Sequence, residues 1–103
     1  MRPITEVTFG RQSAREPADR YTFFVPDTDS CFRIFATGDR NIGDLDLLLR
    51  TPDGEPVTGD ITHDTWPVVP PQGPACFEEP GLYVLEVSVF SGGGRYALQV
   101  WGS

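Results

Sequence analysis

The two cysteines sit in matching tripeptides, Ser30-Cys31-Phe32 and Ala75-Cys76-Phe77. Side chains alternate across a strand, so if both phenylalanines point inward, both thiols point outward from their strands. A cross-strand disulfide needs that arrangement. In the chain-entropy model such a bridge would close a loop of about 45 residues and stabilise the fold by ~4 kcal/mol. It would also place the chain in an oxidising compartment. The alternative is two separate free thiols in a reducing one. His63 is the only histidine and lies between Asp60 and Asp64. A hydrolase would need it beside Ser88, Ser91 or one of the thiols, and none of these sits in a nucleophile elbow or other supporting motif. The expectation is a non-catalytic chain with His63 solvated in a loop. The carboxylates invite calcium: Asp27 and Asp29 share one turn, and Asp39, Asp44 and Asp46 cluster near the head of a leucine-rich strand. Calcium takes about six to eight oxygen ligands, and no complete ligand loop is present. The competing reading has Asp44 and Asp46 solvating an outer sheet face or holding loop amides. Calcium is thus the one candidate ion, and no cofactor is otherwise expected.

These residues must be positioned by strands. Gly43 to Gly54 reads as a strand with Leu45, Leu47 and Leu49 on one face and Asp44, Asp46 and Leu48 on the other. It ends in Pro52-Asp53-Gly54, a turn by residue type. Further strands are expected over residues 4–9, 21–25, 31–37, 75–77, 82–90 and 95–101, with a short edge piece at Pro56-Val57-Thr58. Residues 11–20 read as a loop, and Ser91-Gly92-Gly93-Gly94 as a hairpin loop. Residues 61–75 form a long loop holding Trp66 and four prolines, with a short extended piece at Val68-Val69. No segment carries a period of 3.6, so the chain is all-β, a single domain spanning 1–103. The formal charge is −7 and every basic residue is a scattered arginine, which disfavours nucleic acid. No run of ~20 apolar residues provides a membrane span. Residues 1–20 lack the apolar core of a secretory signal, leaving open a removed signal or a cytosolic chain.

With the strands placed, the chain resembles the bacterial pre-peptidase C-terminal domain family. The resemblance rests on Tyr21-Thr22-Phe23-Phe24-Val25, Asp44-Leu45-Asp46-Leu47-Leu48-Leu49 with Pro52-Asp53-Gly54, Gly81-Leu82-Tyr83-Val84-Leu85-Glu86-Val87 and Arg95-Tyr96-Ala97-Leu98-Gln99-Val100. These pieces occur in family order over roughly residues 4–101. The resemblance implies a jelly-roll-like antiparallel β-sandwich of about eight short strands. It also implies a non-catalytic module of the kind appended to secreted proteases and other exported proteins, some of which assist secretion. Related collagen-binding modules grip substrate and bind calcium. In the family pattern the Cys31 and Cys76 strands are neighbours. The departure is length, since no catalytic domain accompanies these 103 residues.

Function is sought on the outer faces. If Tyr21, Phe23, Val25, Phe32, Ile34, the three leucines and the alternate residues of the last two strands form the core, Phe24, Phe35, Leu48, Val84, Phe90 and Trp101 point outward. Sandwich exteriors are normally polar, so these residues imply a cover: a partner, a second copy or the Trp66 loop folded back. Trp66 would either stack on a sugar or peptide or plug its own loop. The expected role is an exported accessory module that binds protein or polysaccharide or docks to a secreted enzyme. The alternative is a subunit that self-assembles through its apolar outer face.

Overall fold

The structure, a computed structural model, describes residues 2–25, 31–60, 65–70, 73–77 and 79–102. Its strands are β1 (Arg2–Pro3), β2 (Thr8–Ser13), β3 (Asp19–Val25), β4 (Cys31–Gly38), β5 (Ile42–Arg50), β6 (Pro56–Asp60), β7 (Val68–Val69), β8 (Ala75–Cys76) and β9 (Gly81–Gly102). Every pairing is antiparallel, and no helix occurs among the described residues.

The organising element is β9. No hairpin interrupts it at Ser91-Gly92-Gly93-Gly94; the chain continues as one strand of 22 residues. Fully extended it would reach ~70 Å at ~3.3 Å per residue, but the molecule is only 38 Å long. It must therefore bend, and the glycines are the bend. Gly92 has φ +83°, and a Cβ there would collide with the Asn41 carbonyl. Along one side of β9, β2 and β3 lie end to end in a single register, from Thr8 opposite Leu98 to Val25 opposite Gly81. Along the other side, β4 and β5 also lie end to end, from Phe32 opposite Gly102 to Arg50 opposite Val84, with a register shift at Asp44. Three long bent ribbons thus fold over into two sheets, as happens where strands switch sheets at bulges and bends. The first sheet holds β1, β2, β4, β7, β8 and the C-terminal half of β9. The second holds β3, β5, β6 and the N-terminal half.

Pairing, not local propensity, sets the first strands. β2 begins at Thr8 and runs through Gly10 to Ser13, later than the expected 4–9 and into the expected loop. Gly10 faces Tyr96 in the ladder, and a Cβ there would overlap the Tyr96 ring. The Tyr96 hydroxyl fills that space, donating to Asp19 Oδ2 at 2.5 Å and lying 2.5 Å from the Tyr21 hydroxyl. Burial, then these hydrogen bonds, push the Tyr96 phenol well above its ordinary pKa. The Pro52-Asp53-Gly54 turn forms as expected: Gly54 takes φ +89° and its amide donates to the Thr51 carbonyl at 2.9 Å. β6, starting at Pro56, is an edge strand.

The core is the inward parity of both sheets. Leu45, Leu47, Leu49, Leu85, Val87, Phe32 and Ile34 are completely buried, each leucine stabilising the fold by ~1.5–3 kcal/mol. Phe32 stacks on Phe77 with ring centroids 4.2 Å apart, and Phe77 meets Tyr83 edge-on at 4.8 Å. Tyr21 and Phe23 are only half-buried, because β3 pairs on one side alone among the described residues.

Candidate functional site

With Phe32 and Phe77 inward, Cys31 and Cys76 face each other across β4 and β8 and form a disulfide. Of the candidate calcium carboxylates, Asp39 is used at the corner. Its Oδ2 accepts the Arg95 amide at 3.0 Å and its Oδ1 the Asn41 amide at 2.9 Å. These backbone bonds, that of Arg95 foremost, hold its pKa below the ordinary value. Asp44 is not on the outer face. The register shifts on both sides of it, between Ile42 and Asp44 and between Asp44 and Leu45, and turn it into the buried interior. Asp46 is half-buried opposite Ser88. Asp27, Asp29 and His63 lie outside the described residues. Among the described residues no three acidic, cysteine or histidine side chains converge as metal ligands.

The outward apolar residues divide between two unlike faces. On the second sheet, Phe24 sits at one end beside Leu82, and Phe90 sits near the corner. Between them runs a polar centre, where Glu86 Oε1 accepts Arg50 Nε at 2.8 Å and lies 3.5 Å from Arg20 Nε. Leu48 is half-buried beside it, over Gly59, where a Cβ would come within 3.2 Å of Leu48 Cδ1.

The outer face of the first sheet is different. The 65–69 segment does not fold over it. Instead it extends the sheet past β4, with the Gly38 amide donating to the Thr65 carbonyl at 2.9 Å and the Ala36 amide to the Pro67 carbonyl at 3.1 Å. Pro67 and Val69 point inward, and Trp66, 70% exposed, points out. One row across the face therefore runs Phe9, Ala97, Thr37, Trp66, spanning ~15 Å at ~4.8 Å per strand. The next holds Gln99, Phe35 and Val68, and the next Trp101 and Arg33. Phe9 is 77% exposed and Phe35 41%. Several members are held in place: Trp101 Nε1 donates to Gln99 Oε1 at 3.0 Å, and the Arg33 guanidinium sits 5.7 Å from the Phe35 ring centroid. A shallow hollow of about 210 Å³ lies among Val7, Phe35, Ala97 and Gln99.

No protein-family profile matches the chain, and neither does any curated protein. Among solved structures, the 1.0 Å crystal structure of the pre-peptidase C-terminal domain of collagenase from Bacillus anthracis superposes with a TM-score of 0.69. It is 22% identical and covers 93% of this chain and 88% of that one. The chain has a pre-peptidase C-terminal-like fold. Within that fold, the sequence pointed to Phe35, Trp66 and Trp101, and the structure brings these three together on one face. It places Phe24, Leu48 and Phe90 on the other. The structure also adds Val7, Phe9, Arg11 and Arg95 to that face, which sequence reasoning missed. The missing signal was the continuation of β2 through Gly10, which sets Phe9 and Arg11 on a common face.

Proposed function

We propose that this domain is a non-catalytic accessory module that binds protein or polysaccharide through the outer face of its first sheet. The observation that carries this reading is the exposure of Phe9, Phe35 and Trp66 together on one face, with Trp101 and Arg33 fixed beside them. Exposed apolar surface gathered on one face in this way marks interaction sites. The likeness to a collagenase's pre-peptidase C-terminal domain supports an accessory role, and the Cys31–Cys76 bridge supports work in an oxidising, extracytoplasmic compartment.

Co-sedimentation with insoluble gelatin, cellulose and chitin tests the reading, with mass in solution measured alongside. The expected result is an 11.4 kDa monomer that pellets with at least one of the three and is released by Phe35→Ser and Trp66→Ser. Pelleting that survives both substitutions overturns the assignment of the face. Oligomers that dissociate on Phe35→Asp or Phe90→Asp would instead establish the self-assembling subunit.

A further inference from the structure

The strand positions of the same face are segregated by charge, which sharpens the proposed binding role and rests on it. The chain holds 15 acidic residues against 8 arginines. Yet the outward strand positions of the first sheet include Arg11, Arg33 and Arg95 and not one aspartate or glutamate. Arg11 and Arg95 stand directly opposite each other on β2 and β9, both exposed, one ladder step from the Phe9–Trp66 row. Like charges at directly opposed positions destabilise a sheet. Both ion pairs among the described residues, Arg50–Glu86 and Arg20–Glu86, lie on the other face. Neither Arg11 nor Arg95 forms an ion pair there among the described residues. Glu16 and Asp39 line the hollow beside them, and Arg95 helps hold Asp39 ionised. The Asp39 oxygens, however, are taken by the Arg95 and Asn41 amides, and Glu16 Oε1 by the Ser13 hydroxyl.

We propose that this face binds an acidic polypeptide segment of a partner protein, its carboxylates held between Arg11 and Arg95 and its apolar side chains laid on Phe9 and Phe35. Charge complementarity selects an acidic occupant. The strand positions of the face are rich in phenylalanine, tryptophan and arginine and lack lysine, aspartate and glutamate, the composition of buried protein–protein contacts. Carboxylates stand at the rim beside Arg11 and Arg95, in Glu16 and Asp39. Its size selects a segment over a domain. From the Arg11–Arg95 row to the Arg33–Trp101 row is six residues of β9, ~20 Å, and the width is ~15 Å. The area is a few hundred Å², well below the ~800 Å² per partner of a standard interface. A second copy packed face to face would oppose three arginines with three more, a repulsive arrangement.

The test uses the intact domain and the random copolymer poly(Glu,Tyr) as probe, followed by fluorescence anisotropy at low salt. Poly-Glu, poly(Lys,Tyr) and polygalacturonate serve as comparisons. Poly(Glu,Tyr) is expected to bind more tightly than all three. Joint substitution Arg11→Gln with Arg95→Gln, and separately Phe35→Ser, should each weaken it about tenfold or more. Arg20→Gln, on the other face, should leave it within about twofold. Melting curves are run for every variant, so that unfolding is not read as lost binding. Failure of poly(Glu,Tyr) to bind, or indifference to the paired arginine substitution, overturns the proposal. So does tighter binding of polygalacturonate, which would make the ligand an acidic polysaccharide, or equal binding of poly-Glu, which would reduce the face to ion exchange. Any of these leaves the broader binding role standing if Phe35→Ser and Trp66→Ser still release the domain from its sedimented substrate.

Discussion

Asp39 shows how a carboxylate suited to a metal is used for the backbone instead. Its oxygens accept the amides of Arg95 and Asn41, and its own amide donates to the Arg95 carbonyl at 2.9 Å, so one residue ties the β4–β5 bend to the β9 bend. These amides favour the ionised form, so the folded state holds the Asp39 proton less tightly than the unfolded chain does. As pH falls, the unfolded state takes up the proton first. The contribution is therefore full above the unfolded value, near pH ~4, and is lost as pH drops through the lower folded value. Asp39→Asn keeps one acceptor but turns an amide group toward the other backbone donor. Thermal melts should put the wild type above the variant at pH 7, with the gap closing below pH ~4. A gap that stays constant down to pH ~2 would show that the charge plays no part.

At the scale of elements, β9 explains both what was legible in the sequence and what was not. The inward parity of Leu45-Leu47-Leu49 and of Tyr83-Leu85-Val87 was readable because alternation is local, and so was the turn at Pro52-Asp53-Gly54. The bend at Ser91-Gly92-Gly93-Gly94 was not, because glycines that kink a continuous strand and glycines that close a hairpin have the same composition; the contacts of Asn41 and Asp39 decide between them. Asp44 was misplaced for a related reason, since a bulge flips parity without leaving a mark in residue type. The cysteines were legible through their phenylalanine neighbours. β8 has only two residues, and the bridge fixes it to β4. Reduction, or Cys31→Ala with Cys76→Ala, frees that contact and the 45-residue loop it closes. The chain-entropy cost is ~4 kcal/mol. In a domain of this size that corresponds to a melting temperature lower by roughly 20 °C, readable by scanning calorimetry with and without reductant. A shift under about 5 °C would mean that the Phe77 packing holds β8 without the bridge.

For the whole molecule, two electrostatic arguments about the Arg11–Arg95 pair conflict, and magnitudes decide between them. Arg11→Glu moves the net charge by two, from −7 to −9. Self-repulsion of an acidic chain then predicts a loss of stability. The local argument, reduced by the carboxylates of Glu16 and Asp39 in the same hollow, predicts a gain, because a repulsive cross-strand pair becomes an attractive one. Each of those terms is worth ~0.2–1 kcal/mol, and they add with the same sign. The global term is screened beyond ~8 Å at physiological salt. The local term should win there, raising the melting temperature by a few degrees, roughly 4–8 °C per kcal/mol for a domain of this size. At ~0.01 M salt the screening length grows to ~30 Å and the gain should shrink. The same substitution should weaken poly(Glu,Tyr) binding, so that stability and binding move in opposite directions. That divergence is the signature of a surface kept for a partner at some cost to the fold. If melting temperature and binding fall together at both salt concentrations, the arginines belong to the architecture, and the acidic partner has no claim on them.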